Sequence, residues 1–222
     1  MNATVASRLA SLQPVVLVGG RSTRFGRDKL REPVGPDGAW LVDRPLSALR
    51  TVFGPRVAVV GDCHPEVAER GDLVIPDRYP GIGPAGGILS ALEYSGGDVF
   101  VLAGDLLRVT ADVVRAVVAA DVGAWDAVGG EVVGGTAGTA TAGTGTAGTA
   151  GDARESAWAV LAATDRVEPC VGVYRREVRE LLAARVAAGV YRLHDLVPRE
   201  RLVLVQVEER AVVNVNEAGD VG

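Results

Sequence analysis

The sequence predicts an α/β protein, a single three-layer domain in which helices flank a mostly parallel sheet. Short apolar runs alternate with amphipathic segments along the chain, which is the pattern of strands joined by crossover helices. The 222 residues suit one medium-sized domain with a substantial core. Hydrophobic residues at 48% and charged residues at 23% are ordinary for a globular protein.

The predicted strands are short runs rich in valine, isoleucine and leucine. They lie at 14–18, 57–60, 73–75, 99–103, 125–128, 170–174, 202–207 and 212–215. Several of these runs are apolar without interruption, as expected for strands that are buried on both faces of a parallel sheet.

The predicted helices have apolar residues at helical spacing. They lie at 44–53, 65–70, 86–95, 110–120 and 175–188. The last reads RREVRELLAARVAA and is followed by Gly189, a common helix stop.

One segment, residues 131–156, breaks the alternation. It is built almost wholly of Gly, Thr and Ala and offers no large apolar side chain to bury. We interpret it as a flexible surface insertion within one domain spanning 1–222, with the fold resuming at about Glu168. A functional lid is the alternative interpretation.

Composition excludes several classes of function. The net charge of −5, the scattered arginines and the 5% of aromatic residues argue against nucleic-acid binding. Two cysteines, Cys63 and Cys170, do not make a disulfide framework. No apolar run approaches the roughly 20 residues of a membrane span, and the N-terminus lacks a signal-peptide pattern. We therefore expect a soluble cytoplasmic protein without a membrane partner.

The stretch VVLVGGRSTRFGRDKL, residues 15–30, predicts a phosphate-binding loop. A buried strand ends in Gly19 and Gly20, and glycines let backbone N–H groups approach phosphate oxygens closely. Arg24 and Lys29 follow, and Lys29 is the single lysine of the chain. The spacing does not fit a Walker A loop. A tight strand-to-helix turn with solvated charges is the alternative.

This stretch resembles the signature LAGGxSxRMGxDK of molybdenum cofactor guanylyltransferases. These enzymes are nucleotidyltransferases with a Rossmann-like sheet of the nucleotide-diphospho-sugar transferase type. Two positions differ, both by apolar replacements. The resemblance implies that Leu17, Val18, Gly19 and Gly20 contact the nucleotide and that Lys29 reaches its phosphates.

A second glycine cluster, IPDRYPGIGPAGGILSALEYS, contains the spacing G-x-G-x-x-G at Gly81, Gly83 and Gly86. This spacing between a strand and a helix is formally a dinucleotide-binding fingerprint, so an NAD-type protein is one alternative. The residues DRYP lie between the strand and the first glycine, and Pro84 removes an N–H from the turn. Both features count against a dinucleotide-binding turn.

The same stretch resembles the family's second motif, D-x-x-P-G-x-G-P-L-A-G-I-x-x-A-L. The resemblance implies that Asp77 holds the guanosine and that the glycines, Gly83 among them, shape the cleft. A carboxylate can accept two hydrogen bonds from guanine or from ribose hydroxyls. The alternative is a turn residue before a Pro-Gly corner.

Asp105 ends the very apolar run in DVFVLAGDLL. A carboxylate at the carboxyl edge of a sheet, beside a phosphate-binding loop, suggests Mg²⁺, because that ion takes few carboxylates together with water and phosphate oxygens. An N-cap or a solvated turn is the alternative. In the family the equivalent Asp is the metal ligand, but a proline usually follows it, whereas this chain has Leu106, Leu107 and Arg108.

Three further segments resemble the family less closely. The C-terminal VVNVNEAGDVG is similar to N-x-N-T-P-E-D-L, which implies a place for Asn216 beside the metal. The segment EPCVGVYRRE is similar to QPLxAxYxxE, with Glu168 in place of Gln. The polar residue that usually follows the second strand is missing, and Gly61 and Asp62 stand there.

Together these motifs imply transfer of GMP from GTP to the terminal phosphate of molybdopterin cofactor, with release of pyrophosphate. Arg24, Lys29 and Asp105 would be catalytic, with Mg²⁺ as cofactor on Asp105 and Asn216. Transient contacts with proteins that deliver or receive the cofactor are compatible with this function. The alternatives are cytidylyl transfer to the same acceptor, guanylyl transfer to a phospho-acid, and GTP binding without catalysis.

Overall fold

The structure, a computed structural model, describes residues 3–19, 28–36, 38–123, 132–134 and 157–215. The helices are α1 (Ala3–Ser11), α2 (Asp43–Phe53), α3 (Pro65–Ala68), α4 (Pro84–Ser95), α5 (Ala111–Asp121) and α6 (Arg179–Ala187). The strands are β1 (Gln13–Leu17), β2 (Ala58–Val60), β3 (Leu73–Ile75), β4 (Val99–Ala103), β5 (Val132–Gly134), β6 (Ala159–Ala163), β7 (Val167–Tyr174) and β8 (Leu202–Gln206). In these segments, no helix is both long enough and apolar enough to cross a membrane.

All eight strands form one sheet in the order β3-β2-β1-β4-β7-β6-β8-β5. The first four are parallel to one another, and β6 is parallel to β8. Strand β7 is antiparallel to both of its neighbours, and β5 is antiparallel to β8. The predicted mostly parallel sheet is confirmed, and its parallel part is the half that carries the glycine loops.

Helices cover both faces of the sheet, which confirms the predicted three-layer architecture. On β1, Val16 faces a core that includes residues of α2 and α5, with α1 packed at its side. Its neighbours Val15 and Leu17 face a second core built with α4 and α6. Alternate residues of each strand thus bury on opposite faces, which explains why the central strands are apolar throughout.

Two elements differ from the sequence-based expectation in the middle of the chain. Strand β6 lies fully buried between β7 and β8, so the fold resumes near residue 157 and not at Glu168. Its sequence AVLAA is rich in alanine, a weak strand former, and it begins soon after the Gly/Thr/Ala-rich segment 131–156. Strand β5 occupies 132–134, within the predicted insertion, whose other residues lie outside the described ones.

Two other expectations also change at the ends of the fold. Helix α1 was not predicted, because its nine residues contribute only partly buried apolar side chains. The predicted strand at 212–215 is not regular, and only Asn214 pairs, in an isolated bridge to Leu106. The predicted strand at 125–128 lies outside the described residues.

Helix α1 is anchored to the domain by a network of ion pairs around Asp121. Arg8 contacts Asp98 at 2.6 Å and Asp121 at 2.5 Å, and Arg175 contacts the other oxygen of Asp121 at 2.7 Å. The side chain of Asp121 is 0% exposed, so its charge depends on these two arginines. Burial alone would lower the pKa of Arg8, but the carboxylates of Asp121 and Asp98 raise it above its ordinary value.

We expect Asp121→Ala to lower the free energy of unfolding by about 3 kcal/mol, because it leaves two arginines without their buried partner. Urea unfolding followed by circular dichroism measures this. Arg115→Ala on the same helix is the matched control, since Arg115 pairs with the exposed Asp112, and it should change stability by less than about 0.5 kcal/mol. Equal effects of the two substitutions would contradict the anchoring role.

Candidate active site

The candidate site is a cleft at the carboxyl edge of the four parallel strands. Asp77, Asp62, Gly19 and Asp105 follow β3, β2, β1 and β4, so the strand order places them in a row along this edge. The cleft has a volume of about 830 Å³. It is lined by Leu17, Val18, Gly19, Lys29, Leu30, Val60, Gly61, Asp62, Asp77, Pro80, Gly81, Gly83, Pro84, Gly87, Ala103, Gly104, Asp105, Cys170 and Asn214.

Glycines let the loops after β1, β2 and β4 touch through their backbones. Gly61 has φ +128°, and a Cβ there would lie 2.2 Å from the backbone nitrogen of Gly19. A Cβ on Gly104 would lie 2.9 Å from the carbonyl oxygen of Leu17, which accepts a hydrogen bond from the Gly104 N–H. Backbone therefore meets backbone where these strands end, and a side chain at Gly61 or Gly104 would force the strand ends apart.

A capped turn places the single lysine at the cleft. Residues Lys29–Arg31 form a 3-10 turn, and the Asp28 side chain accepts a hydrogen bond from the Leu30 N–H at 3.1 Å. Lys29 Nζ then donates to Asp105 Oδ2 at 2.5 Å and to the Val215 carbonyl at 3.2 Å. A compact ammonium fits between a carboxylate and a carbonyl, which a planar guanidinium would not do in the same way.

The pair is only partly shielded from solvent. The Lys29 side chain is 23% exposed and that of Asp105 is 18% exposed. Both groups are thus accessible from the cleft, and they neutralise each other. A ligand that brings both phosphates and a cation would offer each of them a stronger partner.

The C-terminal segment 213–215 holds the loop that carries Asp105. The Val215 N–H donates to the Asp105 carbonyl at 3.0 Å, and Asn214 forms an antiparallel bridge with the buried Leu106. These backbone contacts define the shape of the loop.

Asn214 also lines the cleft, and its side-chain oxygen Oδ1 is buried without a hydrogen-bond partner among the described residues. A buried unpaired oxygen is rare in folded proteins and often marks a ligand position. Sequence reasoning selected Asn216 from the same N-x-N motif, but Asn216 lies outside the described residues.

Asp77 lies at the far end of the cleft, on the turn between β3 and α4. Its Oδ1 accepts hydrogen bonds from the Tyr79 N–H at 2.9 Å and from the hydroxyl of the buried Ser90 at 3.2 Å. Asp77 therefore shapes the turn, as one interpretation of the sequence expected, and it also lines the cleft, while contact with guanosine stays a prediction.

The structure brings most of the sequence-selected residues into this one cleft. These are Leu17, Val18, Gly19, Lys29, Asp77, Gly83 and Asp105. Gly20 and Arg24 lie outside the described residues, like Asn216. Sequence reasoning did not select Gly61, Gly104 or Cys170, which also line the cleft. Gly61 and Gly104 directly follow buried strands, and this position in the sequence could have identified them.

The chain matches the family model described as "MobA-like NTP transferase domain" over residues 14–202. Two similar proteins are named "probable molybdenum cofactor guanylyltransferase". The one from Carboxydothermus hydrogenoformans is 23% identical over 221 residues, covering 96% of this chain and 94% of that protein. The one from Pyrococcus horikoshii is 28% identical over 185 residues, covering 82% of this chain and 79% of that protein.

The fold is also similar to a solved structure, molybdopterin-guanine dinucleotide biosynthesis protein A from Archaeoglobus fulgidus. The TM-score is 0.63, with 19% sequence identity, and the alignment covers 95% of each chain. This likeness supports the predicted fold.

Cys170 provides a test of the cleft's interior. Burial, with smaller contributions from Asp105 and Glu168, raises the pKa of its thiol to about 12. At pH 8 we therefore expect on the order of a thousandfold less thiolate than for an ordinary cysteine, and correspondingly slow alkylation by iodoacetamide. Mass spectrometry of a Cys63→Ser variant isolates Cys170, and the same variant unfolded in guanidinium is the control. Labelling that levels off near pH 9 in the folded variant would contradict this environment.

Proposed function

The chain belongs to the MobA-like NTP transferase family, and on this premise we propose that it transfers GMP from GTP to the terminal phosphate of molybdopterin cofactor, releasing pyrophosphate. The names of the two relatives support the base and the acceptor. The observation that carries the proposal in this chain is the pair of Lys29 with Asp105 at the glycine-walled end of the cleft.

The cleft has two chemically different ends. Lys29 and Asp105 lie beside the ends of β1 and β4, where bare glycine backbone lets phosphate oxygens approach. Asp62 and Asp77 lie beside the ends of β2 and β3, where carboxylates would repel phosphates. The triphosphate therefore fits the first end and the nucleoside fits the second.

The residues present fit a magnesium ion. Mg²⁺ is usually held by one or two protein oxygens together with water and substrate phosphates. The Asp105 carboxylate would supply one such oxygen, and the Oδ1 of Asn214, which has no partner among the described residues, would supply another; the cleft has room for phosphates beside them. Asn216, expected from the sequence to be a ligand, stays a second candidate. When bound, the ion would neutralise charge on the α-phosphate and on the leaving pyrophosphate.

The reaction needs no covalent protein nucleophile. A phosphate oxygen of the acceptor attacks the α-phosphorus of GTP, the bond from that phosphorus to the bridging oxygen breaks, and pyrophosphate leaves with the bond's electron pair. Lys29, joined by Arg24, would bind the phosphate oxygens and offset the charge that accumulates on them. The thiol of Cys170 stays protonated because of its raised pKa, so it is no competing nucleophile.

The setting of the reaction follows from the same proposal. GTP and molybdopterin would be the two small-molecule partners, and we place the reaction in the cytoplasm. The protein would also make short-lived contacts with the proteins that deliver molybdopterin cofactor or receive the product.

We expect Lys29→Ala and Asp105→Ala each to lower turnover roughly 100-fold, equivalent to about 3 kcal/mol of barrier, because each removes a charge that offsets transition-state charge. Pyrophosphate release with GTP, Mg²⁺ and molybdopterin cofactor measures this. Lys29→Arg keeps the charge but not the compact ammonium and should also be impaired. Asp112→Ala on α5 is the control for loss of an exposed carboxylate. Undiminished turnover in folded Lys29→Ala or Asp105→Ala would refute these roles.

The base and the acceptor are tested by measuring pyrophosphate release with GTP, CTP and ATP side by side, each with and without molybdopterin cofactor. We expect release with GTP that requires the acceptor, because the relatives are named guanylyltransferases. Faster release with CTP would replace guanylyl by cytidylyl transfer. Tight GTP binding without release would contradict catalysis on this acceptor.

A further inference from the structure

Asp62 is a carboxylate in the cleft to which no motif assigns a role. It directly follows Gly61, whose backbone is packed against Gly19, so the Asp62 backbone is held close to the end of β1. Asp62 is exposed and lines the cleft. Within the described segments, it takes part in no hydrogen bond or ion pair. Among the described residues, no contact therefore ties the Asp62 carboxylate to the fold, and it is open to the cleft.

The charge balance of the cleft defines what Asp62 can contact. Among the described lining residues, the charged side chains are Lys29, Asp62, Asp77 and Asp105. Lys29 and Asp105 neutralise each other at the β1–β4 end. The remaining two carboxylates lie at the β2–β3 end, and β2 is two strands away from β4, roughly 10 Å. This end disfavours phosphate and favours hydrogen-bond donors.

Asp77 is not the whole of the hydrogen-bond acceptor capacity at the β2–β3 end of the cleft. One of its oxygens, Oδ1, already accepts from the Tyr79 N–H and from Ser90, so it is committed to the turn. Both oxygens of Asp62 are without partners among the described residues. Asp62 is thus the group able to accept two hydrogen bonds at once from one planar donor edge.

We propose that Asp62 is a base-specificity residue, which accepts hydrogen bonds from the N1–H and 2-amino groups of guanine. These two donors are adjacent on guanine and match the two oxygens of a carboxylate. Adenine presents no such pair, because its N1 is an acceptor and would face a carboxylate unfavourably. This inference rests on the proposed function, since it identifies how the same cleft recognises its nucleotide.

The test compares GTP with ITP, which lacks only the 2-amino group. Calorimetric titration with Mg²⁺ and without acceptor gives both dissociation constants, independently of turnover. For the wild-type protein we expect GTP to bind about tenfold or more tightly than ITP, since a hydrogen bond to a charged group is lost with ITP. In Asp62→Asn, which has only one side-chain oxygen, that ratio should fall to within about threefold. Asp112→Asn is the matched control and should keep the wild-type ratio.

The outcomes separate this inference from the proposed function. An undiminished GTP-to-ITP ratio in Asp62→Asn, with turnover on GTP intact, would overturn the role of Asp62 and leave guanylyl transfer standing. Equal binding of GTP and ITP by the wild-type protein would also overturn the role of Asp62 and leave guanylyl transfer standing. If the wild-type protein bound no GTP, both would fall. Asp62 has no protein partner to lose within the described segments, so thermal unfolding of the variant should match that of the wild-type protein.

Discussion

The parallel pairing of β1 with β2 on one side and β4 on the other is the constraint on which the site depends. It brings three strand ends to one edge, and each is continued by glycine: Gly19, Gly61 and Gly104. The contact between Gly19 and Gly61 is too close for any side chain at Gly61. Because backbone meets backbone at these strand ends, the cleft can admit a phosphate-bearing ligand close to the sheet, where strand-end side chains surround it.

The charged side chains of the cleft differ between the two ends of this sheet edge. Lys29 and Asp105 form an ion pair beside β1 and β4, while the carboxylates of Asp62 and Asp77 lie beside β2 and β3. An extended molecule that is anionic at one end and rich in donors at the other matches this order, as a nucleoside triphosphate does. Elsewhere the charged network around Asp121 joins α1 to the sheet. Its central carboxylate is buried, so the network has a structural role and not a ligand-binding one.

The sequence was most informative where several physical requirements coincide in a short stretch. A buried strand, a glycine turn and a lysine within fifteen residues predicted a phosphate-binding loop, and in the structure Leu17 and Lys29 line the cleft. It was least informative where a residue's environment is supplied by distant segments. Strand β6 is alanine-rich and is a strand because β7 and β8 enclose it, and α1 is held by Arg8 reaching residues about a hundred positions away.

The sequence by itself predicted the layers and a mostly parallel sheet, because hydrophobic periodicity is a local property of the chain, and the resemblance of its motifs indicated the family. Only the tertiary structure decided which side chains share the cleft. Asp105 and Val215 are far apart in sequence, yet both contact Lys29, and Asn214, the neighbour of Val215, also lines the cleft. The strand order brings motifs that are separate in sequence to one edge of the sheet. Long-range packing sets this order, so no local sequence pattern predicts it.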